Sequence, residues 1–102
     1  MNIYEQALTA VNENKISAEL FTGGAKHIFL SQTNGGLYLV YQERDKHNLV
    51  RKTEQVKCAF YNPRRGWIFS LDRDTYRRWV ARTGHEVSKP NLVAPRLCMG
   101  VA

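Results

Sequence analysis

The sequence predicts an α+β fold: an N-terminal helix, an antiparallel meander of about four strands, and a second, arginine-rich helix packed on one sheet face. Three observations carry this expectation. Apolar residues recur at helical spacing near the N-terminus and again after Asp72. Between these stretches the apolar period changes to two. The two-period region is broken by short polar turn clusters, which suit hairpins rather than helical crossovers. At 102 residues the chain reads as a single small basic domain.

The elements follow in order. From Asn2 to Asn12, Tyr4, Ala7, Leu8 and Val11 fall at i, i+3, i+4 and i+7 and predict one apolar helix stripe. Glu5 near the start suits the helix dipole. Ile16, Leu20 and Phe21 suggest a further short helical stretch that stops at Gly23-Gly24. Ile28 and Leu30, then Leu37, Leu39 and Tyr41, alternate as strands on either side of Thr33-Asn34-Gly35-Gly36, a hairpin signal. Asp45-Lys46-His47-Asn48 is a second polar turn. Leu49 to Lys52 reads either as a strand continuing the meander or as the start of a helix through Val56. The alternation of Val56, Cys58 and Phe60 favours a strand and puts those three on one face. Asn62-Pro63-Arg64-Arg65-Gly66 is a third turn, with a short strand from Trp67 to Phe69 behind it. Ser70 or Asp72 then caps a helix through Arg82, and Gly84 stops it. Tyr76, Trp79, Val80 and Thr83 share its buried side. Residues 85–102 read as an extended tail or an edge strand.

Charge is unevenly distributed. The net charge is +6. Residues 1–43 carry two lysines and four glutamates, whereas residues 44–102 carry thirteen basic and five acidic residues. Residues 62–82 hold six of the nine arginines, two aspartates and both tryptophans. Arginine suits bidentate and stacked contacts better than lysine does. A surface of this kind fits a polyanion or an acidic protein partner.

Several chemistries lack their residue patterns. His27, His47 and His85 are far apart, and neither Cys58 nor Cys98 lies in a Cys-x-x-Cys motif, so no metal or other cofactor is expected. Cys58 is expected to be a buried thiol. His47 and His85 read as loop residues. No Gly-x-Ser-x-Gly, phosphate-binding loop or dinucleotide fingerprint occurs. No apolar run approaches a membrane span, and no signal peptide is visible, which makes a cytoplasmic setting the expectation.

Five resemblances bear on function. Gly36-Leu37-Tyr38 resembles the opening of the GIY-YIG nucleases, but the second Tyr-x-Gly strand is missing. Asp45, Glu54 and Lys57 are similar to a restriction-type metal-nuclease motif, but Glu54 and Lys57 stand three apart instead of two. Arg65-Gly66-Trp67-Ile68-Phe69 is similar to the RNP1 strand of the RRM family, and Leu37-Tyr38-Leu39 to its RNP2 strand. That resemblance implies base stacking on Tyr38, Trp67 and Phe69, and it requires a helix over residues 45–56; the stronger reading of Trp67 and Phe69 is that they are core residues of a small sheet. The Ser70-to-Gly84 segment resembles the recognition helix of helix-turn-helix excisionases. In size and basicity the chain also resembles the compact RelE-type ribonuclease toxins.

The expectation is a non-enzymatic binding protein whose arginines contact nucleic acid or an acidic surface of a nucleic-acid-handling complex. The candidate contact residues are Arg64, Arg65, Arg73, Arg77 and Arg78. Two alternatives stand beside it. One is a phage or mobile-element type inhibitor that blocks a host nuclease or defence complex by protein–protein contact. The other is a small metal-independent ribonuclease toxin. The target and the oligomeric state are left open by the sequence.

Overall fold

The computed structural model describes residues 2–85, so the reading of the tail from residue 86 onward lies outside the described residues. The elements are α1 (Ile3–Asn12), β1 (Glu19–Gly23), β2 (Lys26–Thr33), β3 (Gly36–Arg44), β4 (Val50–Asn62), β5 (Gly66–Phe69) and α2 (Arg73–Thr83). The five strands form one antiparallel sheet in chain order. The architecture is the predicted α+β meander with one more strand than expected.

That extra strand is β1, which replaces the helical stretch expected around Leu20 and Phe21. Two adjacent apolar residues fit either period. Pairing with β2 decides between them, with Phe21 opposite Ile28 and Thr22 opposite His27. The other hairpin signals hold. At the β2–β3 turn Asn34 and Gly35 both adopt positive φ, 49° and 77°, as a tight two-residue hairpin turn requires. Residues 50–62 form one long strand, so the helix that the RRM resemblance requires is not there.

Both helices lie on the same face of the sheet. α1 packs against β5 and β1, the two edge strands, so the sheet curls around it. α2 packs against β4. The core between them holds Ile3, Ala7, Ala10 and Val11 from α1, and Ile28, Leu30, Leu37, Leu39, Tyr41 and Cys58 from the sheet. Tyr76 and Trp79 of α2 complete it. The α1 stripe is rotated from the expected one: Ile3 and Ala10 are buried, while Tyr4 and Leu8 are only half-buried. Each fully buried Leu or Ile contributes about 1.5–3 kcal/mol relative to exposure.

The two helix ends of α2 are fixed locally. Asp72, not Ser70, is the N-cap, with its Oδ1 accepting from the Thr75 N–H at 2.7 Å. Gly84 closes the helix at φ 72° and donates to the Val80 carbonyl. Tyr76, Trp79 and Thr83 are buried as expected, and Val80 is half-buried. His85 lies in the turn after α2, as expected of a loop residue, and is buried there, with its ring packed edge-on against Phe21 of β1 at 4.8 Å.

Candidate functional site

β4 is the strand that decides which side chains reach solvent at the basic end of the molecule. Opposite it, Leu37 pairs with Ala59 while Tyr38 pairs with Lys57, which leaves Cys58 as an extra residue in the ladder. This bulge shifts the alternation by one. Val56 and Cys58 turn toward the core, Ala59 takes the next buried place, and Phe60 turns outward with 39% of its surface exposed. The expected inward triplet of Val56, Cys58 and Phe60 is thereby corrected. Tyr61 follows at 53% exposure, beyond the cover of the helices.

The chain then reverses through residues 62–66. Asn62 builds this turn: its side-chain oxygen accepts from the backbone N–H groups of Arg64 and Arg65 at 2.8 and 3.1 Å. The Arg65 N–H also reaches the Asn62 carbonyl at 3.1 Å. Pro63 sits in the second turn position, where its fixed φ is suited. Gly66 adopts φ 84°, a conformation that a side chain disfavours. The turn is thus held by backbone groups and Asn62, and both arginine side chains project into solvent. Neither has a salt-bridge partner among the described residues. No Asp or Glu occurs anywhere between Glu54 and Asp72, so Lys57, Arg64 and Arg65 stand in an acid-free stretch of the sequence.

On β5, Trp67 pairs across from Tyr61 and Ile68 from Phe60. The Tyr61 and Trp67 rings meet edge-to-face at 5.4 Å and 70°. Tyr61 and Trp67 therefore occupy one face of the hairpin tip and Phe60 and Ile68 the other. This differs from the arrangement implied by the RRM resemblance. Tyr38 alternates with the fully buried Leu37 and Leu39 and so lies on the opposite sheet face from Phe69, which packs against Tyr4 of α1. Tyr38, Trp67 and Phe69 do not share a stacking surface.

The remaining candidate arginines are on α2, and the structure separates them from the turn. Arg64 and Arg65 lie at one end of β5, and α2 begins beyond the other. Four strand residues at about 3.3 Å each put roughly 13 Å between those ends. The basic surface therefore has two groups. In the helix group the side chains are largely engaged. Arg73 lies over the Tyr4 ring at 4.5 Å. The Tyr4 hydroxyl in turn donates to the Leu71 carbonyl at 2.7 Å, so Arg73 braces the α1–α2 junction. Arg77 forms an ion pair with Asp74, and Arg78 donates to the Thr75 hydroxyl at 3.3 Å. Arg82, further along, pairs with Glu54 of β4 at 2.9 Å.

The electrostatics of α2's first turn follow from its cap. The Thr75 backbone N–H bonded to Asp72, together with the Thr75 hydroxyl and the nearby Arg78 charge, holds the Asp72 carboxyl below the usual carboxylate range. At the far end of the sheet Asp45 is lowered in the same way, first by the Leu49 N–H and further by the His47 N–H and the Arg51 side chain. Arg51 is therefore committed to Asp45, at 2.8 Å. Burial pushes the Cys58 thiol up to about 12 from its usual 9.0, and so keeps it protonated. Among the described residues no group of three or more His, Cys, Asp or Glu side chains converges as metal ligands would. No helix among them is long and apolar enough to cross a membrane.

The arrangement can grip an anion at the turn and offer aromatic faces beside it. Sequence reasoning picked out the arginines but missed Phe60 and Tyr61. The acid-free stretch was readable, whereas the bulge that exposes Phe60 leaves no mark in the alternation itself. Comparison with known proteins finds no matching family model, no matching curated protein and no matching solved structure.

Proposed function

We propose that the chain is a non-enzymatic binding protein that holds nucleic acid through arginine–phosphate contacts, with the β4–β5 turn as its main contact. One observation carries this reading: Arg64 and Arg65 are exposed on a turn that needs neither side chain, without a carboxylate partner among the described residues. Guanidinium groups held this way are free to make paired hydrogen bonds to phosphate oxygens. Arg73, Arg77 and Arg78 form a supporting group on α2. The Arg77–Asp74 pair is a surface pair of the kind worth about 0–1 kcal/mol, which a phosphate displaces at little cost. A nucleic-acid target and the free thiol of Cys58 support a cytoplasmic setting as part of the same reading.

The test is binding of labelled oligonucleotides by fluorescence anisotropy over a range of salt. Measurable affinity that falls steeply with salt is the expected result. A parallel pull-down from lysate, with and without nuclease treatment, addresses the other class. If the protein ignores free oligonucleotides and still captures a defined nuclease-resistant partner, the nucleic-acid reading is overturned in favour of a protein-blocking role.

A further inference from the structure

We infer that the nucleic acid taken by the β4–β5 hairpin is single-stranded, with unpaired bases stacked on Tyr61 and Trp67 while Arg64 and Arg65 hold the adjoining phosphates. This rests on the nucleic-acid reading above and names the form of its ligand.

The first ground is the exposure of the rings. Tyr61 is 53% exposed beside the two arginines of the hairpin tip, and Trp67, across from it on the same face, is half-buried and packs in part against the core. Burial does not account for Tyr61. The second is the geometry of the pair. An edge-to-face contact at 70° lets one ring cover at most one face of the other, so Tyr61 and the part of Trp67 not packed against the core remain for a base. A base offers a matching π-face only when it is unstacked, and in a duplex each base face is already covered by its neighbours. Single strands are accordingly bound by aromatic platforms beside a basic groove, at about 1–3 kcal/mol per stacked base.

The third ground is what the duplex alternative would need. A groove-reading helix presents its N-terminal turn to the base edges. The N-terminal end of α2 carries Asp72 and Asp74, both exposed, and would face the phosphates with negative charge. The hairpin tip has no such charge. The unopposed cations and the exposed Tyr61 ring, with half-buried Trp67 beside it, coincide at the hairpin, and a single strand is the ligand that uses both.

The experiment uses the full chain with oligo-dT, oligo-U and a duplex of equal length, each about 12 nucleotides. Anisotropy gives the affinities, and tryptophan emission reports stacking. Trp79 is fully buried, so a change on binding belongs to Trp67. Expected are tighter binding to one or both single strands than to duplex, and quenching of emission at saturation. Tyr61→Ala should weaken single-strand binding roughly 5- to 150-fold and leave duplex binding within about twofold. Trp67→Phe should keep binding and lose the quenching. Equal affinity for duplex and single strand, with Tyr61→Ala lowering neither or both alike, overturns the inference and leaves the nucleic-acid reading standing. Absence of binding to every oligonucleotide overturns both. Circular dichroism of each variant confirms that a loss is not unfolding.

Discussion

Trp79 shows how a single residue ties the second helix to the sheet. Its ring is fully buried, stacks on Tyr76 at 5.8 Å, and its indole N–H donates to the Glu54 carbonyl at 3.1 Å. Trp79→Ala removes the packing and strands that carbonyl, so we expect a loss of about 3–5 kcal/mol in urea denaturation. Trp79→Phe keeps most of the packing and should cost less. Cys58 makes a second residue-scale prediction. Its folded-state value of about 12 lies above its usual 9.0, so above pH 9 the unfolded thiol loses its proton while the folded one keeps it. Folding stability from this group is complete below pH 9 and falls as pH rises toward 12, by about 1.4 kcal/mol per pH unit. Stability curves of the native chain and Cys58→Ala should therefore converge as pH is raised through that window. Curves that stay parallel would contradict the burial of this thiol.

Among the elements, the β4–β5 hairpin shows both what the sequence disclosed and what it hid. The turn itself was legible, because Asn, Pro and Gly at those positions each fit one backbone requirement of the reversal. The α2 boundaries were nearly so: Gly84 was the only nearby residue suited to a left-handed cap, whereas Ser70 and Asp72 both had capping side chains and only the hydrogen bond to Thr75 separates them. Two features were not legible. Leu20 and Phe21 are too short a run to carry a period, and a neighbouring strand decides their conformation. Phe60 obeys a perfect alternation in sequence, and a bulge set by pairing with β3 turns it out. Of the candidate site, the arginines were legible from composition, but their division between the two ends of β5 was not, since sequence spacing does not say where a strand points its ends. The hairpin also gives a positioning test. Asn62→Ala removes the two side-chain bonds that shape the turn, so binding should weaken with little change in global stability. A stability loss as large as that of Trp79→Ala would show that the turn belongs to the core instead.

Across the whole molecule, both helices and nearly all buried residues lie on one side of a curled sheet, and the acid-free stretch contains the β4–β5 hairpin at its edge. The charge of +6 gives a general attraction for polyanions, and on the proposed reading its distribution decides where contact is made. The arginines of α2 are engaged largely with Tyr4, Asp74, Thr75 and Glu54, while those of the turn are not. Substitution of Arg77 and Arg78 by Gln should therefore lower affinity less than substitution of Arg64 and Arg65. The most direct test of the account is the salt dependence of oligonucleotide binding for the native chain and for Arg64→Gln/Arg65→Gln. Because this variant can no longer neutralise two phosphates, the slope of log affinity against log salt should shrink by roughly 1.4 on a single strand while the protein remains folded. An unchanged slope and affinity in that variant would contradict the assignment of the hairpin as the binding surface.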